Sequence, residues 1–317
     1  MIKQYAEAKN ASATVDSWHG RLAEVAAEAN TNALTIDVED YFQVEAFFDV
    51  IDRSSWDSFE CRVERNIDLI LELLSESKSH ATFFTLGWIA ERYPSMIRKI
   101  VAGGHELASH GSEHKRADAQ TRAEFTIDIV RAKSILEDLS GAEVKGYRAP
   151  SFSVLKDNLW ALEQIAKAGY RYSSSIYPVT HDNYGIRDAP RFAFHPFEND
   201  PFLEVPVTSI RLWGRNWPCG GGGYFRLLPY LLNAAALRHV NGRENEPCVF
   251  YFHPWELDVL QPRVHGASLK SQFRHYLNLR RMKPRLARLM RSFAWRRMDD
   301  IFLSPAIETV MPIVSAV

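Results

Sequence analysis

Between residues 33 and 177, short apolar runs alternate with segments of helical period, and glycines mark several of the joins. Ala33–Asp37 is an apolar run ending in acids, and ATFFTLG (81–87) is a β-rich run closed by Gly87. His105–Ser109, a short run ending at Tyr147-Arg148 and the stretch Tyr170–Tyr177 are further strand candidates. Between them, Val63, Ile67, Ile70 and Leu74 recur at helical spacing. Pro94 opens a short helix that Gly103-Gly104 ends, since proline is tolerated in a first turn. Phe125, Ile129, Ala132, Leu136 and Leu139 mark a longer amphipathic helix stopped near Gly141. Leu159, Leu162, Ile165 and Ala166 mark another, closed by Gly169. Strand and helix in alternation predict an α/β fold with a mainly parallel sheet, open or closed into a barrel.

After about residue 180 the rhythm breaks. Pro190, Pro196, Pro201 and Pro206 punctuate short segments. A helix near 227–240 and a strand over 248–252 follow. Residues 270–297 read as helical, with Pro284 expected to kink or divide them. The chain has 317 residues, 46% of them hydrophobic, enough for one large core with an appendage. The expected organisation is an N-terminal extension over 1–30 and one domain over 31–317, with a C-terminal elaboration from about residue 190.

Lys and Arg number 38 against 39 Asp and Glu, so nothing calls for a nucleic-acid partner. The three cysteines, Cys61, Cys219 and Cys248, form no Cys-x-x-Cys pair and fit a reducing compartment. No apolar run approaches the roughly 20 residues of a membrane span, and the N-terminus has no signal-peptide core. The expectation is a soluble, cytoplasmic protein with no integral membrane segment. Residues 280–297 carry eight Arg or Lys. They read as a solvated helix face, with peripheral contact to a membrane surface or an anionic polymer as the alternative.

Four clusters carry chemistry. Asp37-Val38-Glu39-Asp40 lies at a predicted strand end, where α/β active sites open to solvent, though a solvated turn or helix cap gives the same pattern. His110 and His114 are four apart, a spacing that one helical turn would bring to one face for a divalent metal. Gly111 stands where a metalloprotease helix has its Glu, so that signature is absent. Arg148 precedes Ala149-Pro150 at a strand end and is placed to hold a carboxylate by a forked contact. His253, between Phe252 and Pro254-Trp255, suits a general acid or a packed histidine.

In this order, TIDVED (35–40), SHGSEH (109–114), RAPSFS (148–153) and FHPW (252–255) resemble the polysaccharide deacetylase family. This is the NodB-homology group of carbohydrate esterase family 4. The longer runs TIDVEDYFQVEAF (35–47), PCGGGGYFRLLPY (218–230) and FYFHPWELD (250–258) resemble a subgroup that accompanies exosortase-type exopolysaccharide loci. The resemblance implies an irregular (β/α) barrel with fewer than eight strands. It implies metal-dependent removal of N-acetyl groups from an amino-sugar polymer or precursor in exopolysaccharide or cell-envelope assembly.

By the same resemblance, Asp37 is the general base, Arg148 orients it and His253 is the general acid. His110 and His114 are metal ligands. Val38 stands where many members carry the third ligand, which leaves Glu39, favoured, or Asp40. Two imidazoles and a carboxylate suit Zn²⁺. Ser173 stands where members commonly carry an Asp that supports the catalytic histidine. Two other functions stay open at this point: hydrolysis of a small non-sugar amide by the same site, and a weakened homologue that only binds carbohydrate. CGGGGYF (219–225) lacks the Gly-Lys-Ser/Thr of a phosphate loop and reads as close backbone packing. Trp213, Trp217 and Trp255 are candidates for lining a sugar groove.

Overall fold

The structure, a computed structural model, describes residues 31–304 and 312–314. The expected extension over 1–30 lies outside the described residues. Strand β1 (Thr31–Val38) is buried along all but its first residue, as a central strand of a parallel sheet must be. It is the hub of the fold. β1 pairs in parallel with β2 (Thr82–Thr85), with β9 (Val249–Phe252) and with β10 (Ala294–Arg296). From β2 the sheet continues through β3 (Glu106–Ser109), β4 (Gly146–Tyr147), β5 (Tyr172–Ser173) and β6 (Leu203–Glu204), each pair parallel. The eight strands, where the resemblance implies fewer, curl into an irregular (β/α) barrel. An antiparallel hairpin, β7 (Ser209–Leu212) with β8 (Arg215–Pro218), stands apart from the barrel sheet.

Helices fill the crossovers from β1 to β5, while the one from β5 to β6 has none. Helix α1 (Val63–Ser77) buries Val63, Ile67, Ile70, Leu73 and Leu74, the stripe its periodicity predicts. Each fully buried Ile or Leu of that stripe contributes about 1.5–3 kcal/mol. α2 (Gly87–Arg92) and α3 (Pro94–Ala102) follow β2, with Pro94 in the first turn of α3. α4 (Arg122–Ser140) starts at a reciprocal capping box between Thr121 and Glu124 and ends at Gly141 with φ 66°. Phe125, Ile129, Ala132 and Leu136 face the core from it. α5 (Trp160–Lys167) closes the regular part.

The C-terminal region departs from the sequence reading in three places. The helix expected near 227–240 is two, α6 (Gly222–Leu227) and α7 (Tyr230–Arg243), parted at Leu228-Pro229. Residues 270–297 divide at Leu277-Asn278, where Asn278 takes a φ of 53°, not at Pro284. The pieces are α8 (Leu269–Tyr276) and α9 (Leu279–Ser292), and Pro284 lies inside the latter. Pro284 is early in α9, so the carbonyl it deprives of a partner is Arg280, near the helix start. Residues 294–296 are strand, because Trp295 is buried while its two neighbours are exposed and β1 offers an edge. The short α10 (Met298–Phe302) packs after it. Arg280, Arg281, Lys283, Arg288 and Arg291 of α9 are exposed. No described helix is long and apolar enough to cross a membrane.

Strand register places the site. Val38, Thr85, Ser109, Tyr147 and Ser173 are successive partners across the sheet. Phe252 partners Ile36 on the other side of β1, which brings the following residue, His253, level with Asp37. The residues just beyond these strand ends therefore converge at the C-terminal mouth of the barrel, where parallel α/β folds build their sites.

Candidate metal centre and its flanking acid and base

Glu39, His110 and His114 form the core of the site. Their candidate ligand atoms lie within 4.8 Å of one another, and all three residues are buried. Side chains alternate along β1, so Asp37 and Glu39 point one way while Val38 enters the hydrophobic core. Asp40 does not join the cluster. Its carboxylate accepts the backbone N–H groups of Tyr41, Arg62 and Val63, and so anchors the start of α1.

His110 and His114 meet without a helix. The expected helical turn is replaced by a loop in which Gly111 has a φ of 81° and His114 a φ of 54°. The rings end 5.3 Å apart. Asp128 of α4 shapes this loop by accepting Ser112 N–H with both carboxylate oxygens. A Cβ on Gly111 would stand 2.8 Å from Asp128 Oδ2, so only glycine fits there.

The donor set fits a divalent cation. Glu39 Oε2 lies 2.6 Å from His114 Nε2 but has no well-aligned hydrogen bond, and the buried His114 Nδ1 has none either. His110 Nδ1 bonds the carbonyl of Arg148 at 2.9 Å, which leaves Nε2 free to ligate. Burial would raise the Glu39 carboxyl, but His114, His253 and His110 overturn this and hold it at about 2. Burial, with the neighbouring His114, lowers His110 to about 4, so it is neutral at ordinary pH. A charged carboxylate beside a neutral imidazole is the state a metal requires.

Asp37 and Arg148 lie beside this cluster, both buried. Arg148 Nη1 donates to Asp37 Oδ1 at 2.6 Å and to Thr35 Oγ1 at 2.8 Å. Its Nε and Nη2 turn instead to the carbonyl and hydroxyl of Ser174. The contact with Asp37 is thus single rather than forked, because Ser174 takes the other edge of the guanidinium. Asp37 keeps Oδ2 toward His253, whose Nε2 is 3.9 Å away.

His253 also borders the cluster, with Nε2 3.6 Å from Glu39 Oε1. Its partner is not at position 173, where Ser173 bonds Ser175. His253 Nδ1 lies 2.8 Å from Glu256 Oε1, and Glu256 Oε2 accepts Arg226 Nε at 2.7 Å. Sequence reasoning missed both residues. Burial works against a charge on His253, but Glu39, Glu256 and Asp37 raise it to about 9. Trp255 is stacked between His253 and His275 and donates Nε1–H to Glu39. It is a buried wall, while Trp213 and Trp217 are exposed on the β7–β8 hairpin. The glycine run serves close approach: a Cβ on Gly222 would stand 2.3 Å from Glu256 Oε1.

The polysaccharide deacetylase family model matches residues 48–173, which include His110, His114 and Arg148. Residues 48–173 of the chain thus match a polysaccharide deacetylase domain. A second model, described as a domain of unknown function (DUF3473), matches residues 174–303 and takes in Arg226, His253 and Glu256. The chain is 33% identical over 96 residues to a peptidoglycan-N-acetylglucosamine deacetylase of Bacillus cereus, covering 30% of this chain and 35% of that protein. It is 34% identical over 101 residues to a chitooligosaccharide deacetylase of Sinorhizobium fredii, covering 32% and 46%. The matches thus span less than half of these relatives. A solved structure from Mycobacterium smegmatis, described as a candidate polysaccharide deacetylase, shares the fold. Its TM-score is 0.60 at 18% identity, over 90% of this chain and 92% of that one.

Proposed function

We propose that this deacetylase domain hydrolyses N-acetyl groups on an amino-sugar polymer or its precursor, in exopolysaccharide or cell-envelope assembly. The carrying observation is the convergence of Glu39, His110 and His114 with Asp37 and His253 close beside them. The relatives named for N-acetylglucosamine and chitooligosaccharide deacetylation support the substrate class.

Glu39, His110 and His114 would hold a divalent ion, with Zn²⁺ the best match to two imidazoles and a carboxylate. Such an ion supplies electrophilic activation of the acetamide and of water. Asp37, oriented by Arg148, takes the proton of the attacking water through its free Oδ2. His253 delivers a proton from Nε2 to the leaving nitrogen. The amide C–N bond breaks, and the products are acetate and a free amino sugar. The pairing assigns Asp37 to proton removal and the imidazolium of His253, raised to about 9, to proton delivery.

The test is acetate release from N-acetylglucosamine oligomers by the Zn²⁺-loaded protein. Release is expected, with free amines appearing in equal amount. Stoichiometric metal with no acetate from any amino-sugar oligomer would sink the proposal.

A further inference from the structure

The groups that hold His253 lie outside the residues matched by the deacetylase model. We infer that Glu256 and Arg226 are positioning residues for His253, a buried clamp that sets which imidazole nitrogen carries the proton toward the substrate. The inference rests on the deacetylase reading only for the turnover that reports it.

The geometry carries it. Glu256 is fully buried, and so is Arg226 but for a trace. The Glu256 Oε1 atom meets both the backbone N–H of His253 at 3.0 Å and its ring Nδ1 at 2.8 Å. An ionised carboxylate only accepts, so Nδ1 must carry a hydrogen. The Nε2 atom is then the one that exchanges a proton on the side of Asp37 and Glu39. Glu256 Oε2 is fixed in turn by Arg226 Nε at 2.7 Å.

Arg226 is itself locked. Its Nη1 donates to the carbonyls of His275 and Leu277, and its Nη2 to that of Arg274. These are the last residues of α8 and the turn after it, where carbonyls lack helical partners. Gly222 lets the backbone of α6 approach the Glu256 carboxylate at a distance no side chain would permit. Three separate segments therefore end on one imidazole. A carboxylate behind a catalytic imidazole fixes its tautomer and orientation and stabilises its charged form. The clamp gives the region of unknown function a definite part in the site: it supplies the proton donor and everything that aims it.

Glu256→Gln and Arg226→Met are the variants, tested with Zn²⁺ and N-acetylglucosamine oligomers. Both are expected to keep stoichiometric metal and a KM within about threefold, while kcat falls about 10- to 100-fold, a fraction of the full effect of a general acid. A purely structural role would lower the yield of folded protein but leave kcat per bound metal unchanged. That result would overturn the inference. Selective ¹⁵N labelling of histidine gives a readout independent of turnover. Measured above about pH 9, where the ring is neutral, His253 is expected to carry its single hydrogen on Nδ1 in the wild type, and to show both tautomers in Glu256→Gln. An Nε2–H tautomer in the wild type would overturn the clamp even in an active enzyme. The Nδ1–H tautomer in a wild type that releases no acetate would uphold the clamp while the deacetylase reading fell.

Discussion

Two regions furnish the groups of one site by different means. Residues 37–148 place Asp37, Glu39, His110 and Arg148 just inside or beyond the ends of regularly paired strands, so register alone aligns them. Residues 220–256 reach the same point through a glycine run, a short helix and a 3₁₀ turn, fastened by a buried ion pair between Arg226 and Glu256. The first region holds every candidate metal ligand. The second holds the proposed proton donor, His253, and its support. On this contrast we expect metal affinity and proton delivery to be separable properties of this chain, even though Glu39 touches both His114 and Trp255.

That separation can be broken by experiment. The largest effect belongs to the base. Asp37→Asn is expected to keep stoichiometric Zn²⁺ and to lose turnover about 10²- to 10⁴-fold, read by acetate release alongside metal analysis. An unchanged rate would remove Asp37 from the base role.

The pH profile comes next. The folded pKa of His253 is raised, so its imidazolium persists above neutrality and is lost as pH rises through about 9. Turnover is expected to fall on an alkaline limb at or below about 9, since a bound cation beside Glu39 weakens one of the charges that raise His253. At the acid end, His110 stays neutral until pH approaches about 4. Metal retention is expected to fall only as pH drops through that range. Metal lost near pH 6, measured by dialysis and elemental analysis, would contradict the neutral, buried His110.

The smallest effect sharpens the choice between neighbouring acids. Asp40→Asn is expected to leave metal content and turnover within about twofold and to cost about 1–2 kcal/mol in stability, as the start of α1 loses a charged acceptor. Denaturant unfolding reads the cost. Loss of metal in that variant would move the third ligand from Glu39 to Asp40.

These predictions also mark what the amino-acid sequence could reveal. The strands and helices up to about residue 177 were legible because apolar period and glycine stops agree with the sheet they build. The period of two even contained the answer on the acids, since Asp37 and Glu39 share a face and Asp40 does not. The approach of His110 to His114 was legible, but its means was not: a left-handed loop held by Asp128 gives the same closeness as a helical turn. Glu256 had a local signal, standing three residues after His253 as the closing member of a capping box. Arg226 had none, because 30 residues separate it from its carboxylate partner. The strand at 294–296 was hidden by cationic neighbours that suit a helix equally well, and only the free edge of β1 decides it.

One paired measurement bears most directly on a site shared between the two regions: metal content and acetate release in His110→Ala and in His253→Ala. His110→Ala is expected to lose both metal and at least about 10³-fold in turnover, as the electrophilic contribution of the ion disappears. His253→Ala is expected to bind Zn²⁺ like the wild type and to turn over about 10²-fold more slowly. Stoichiometric metal in His110→Ala, or a wild-type rate in His253→Ala, would contradict a shared site.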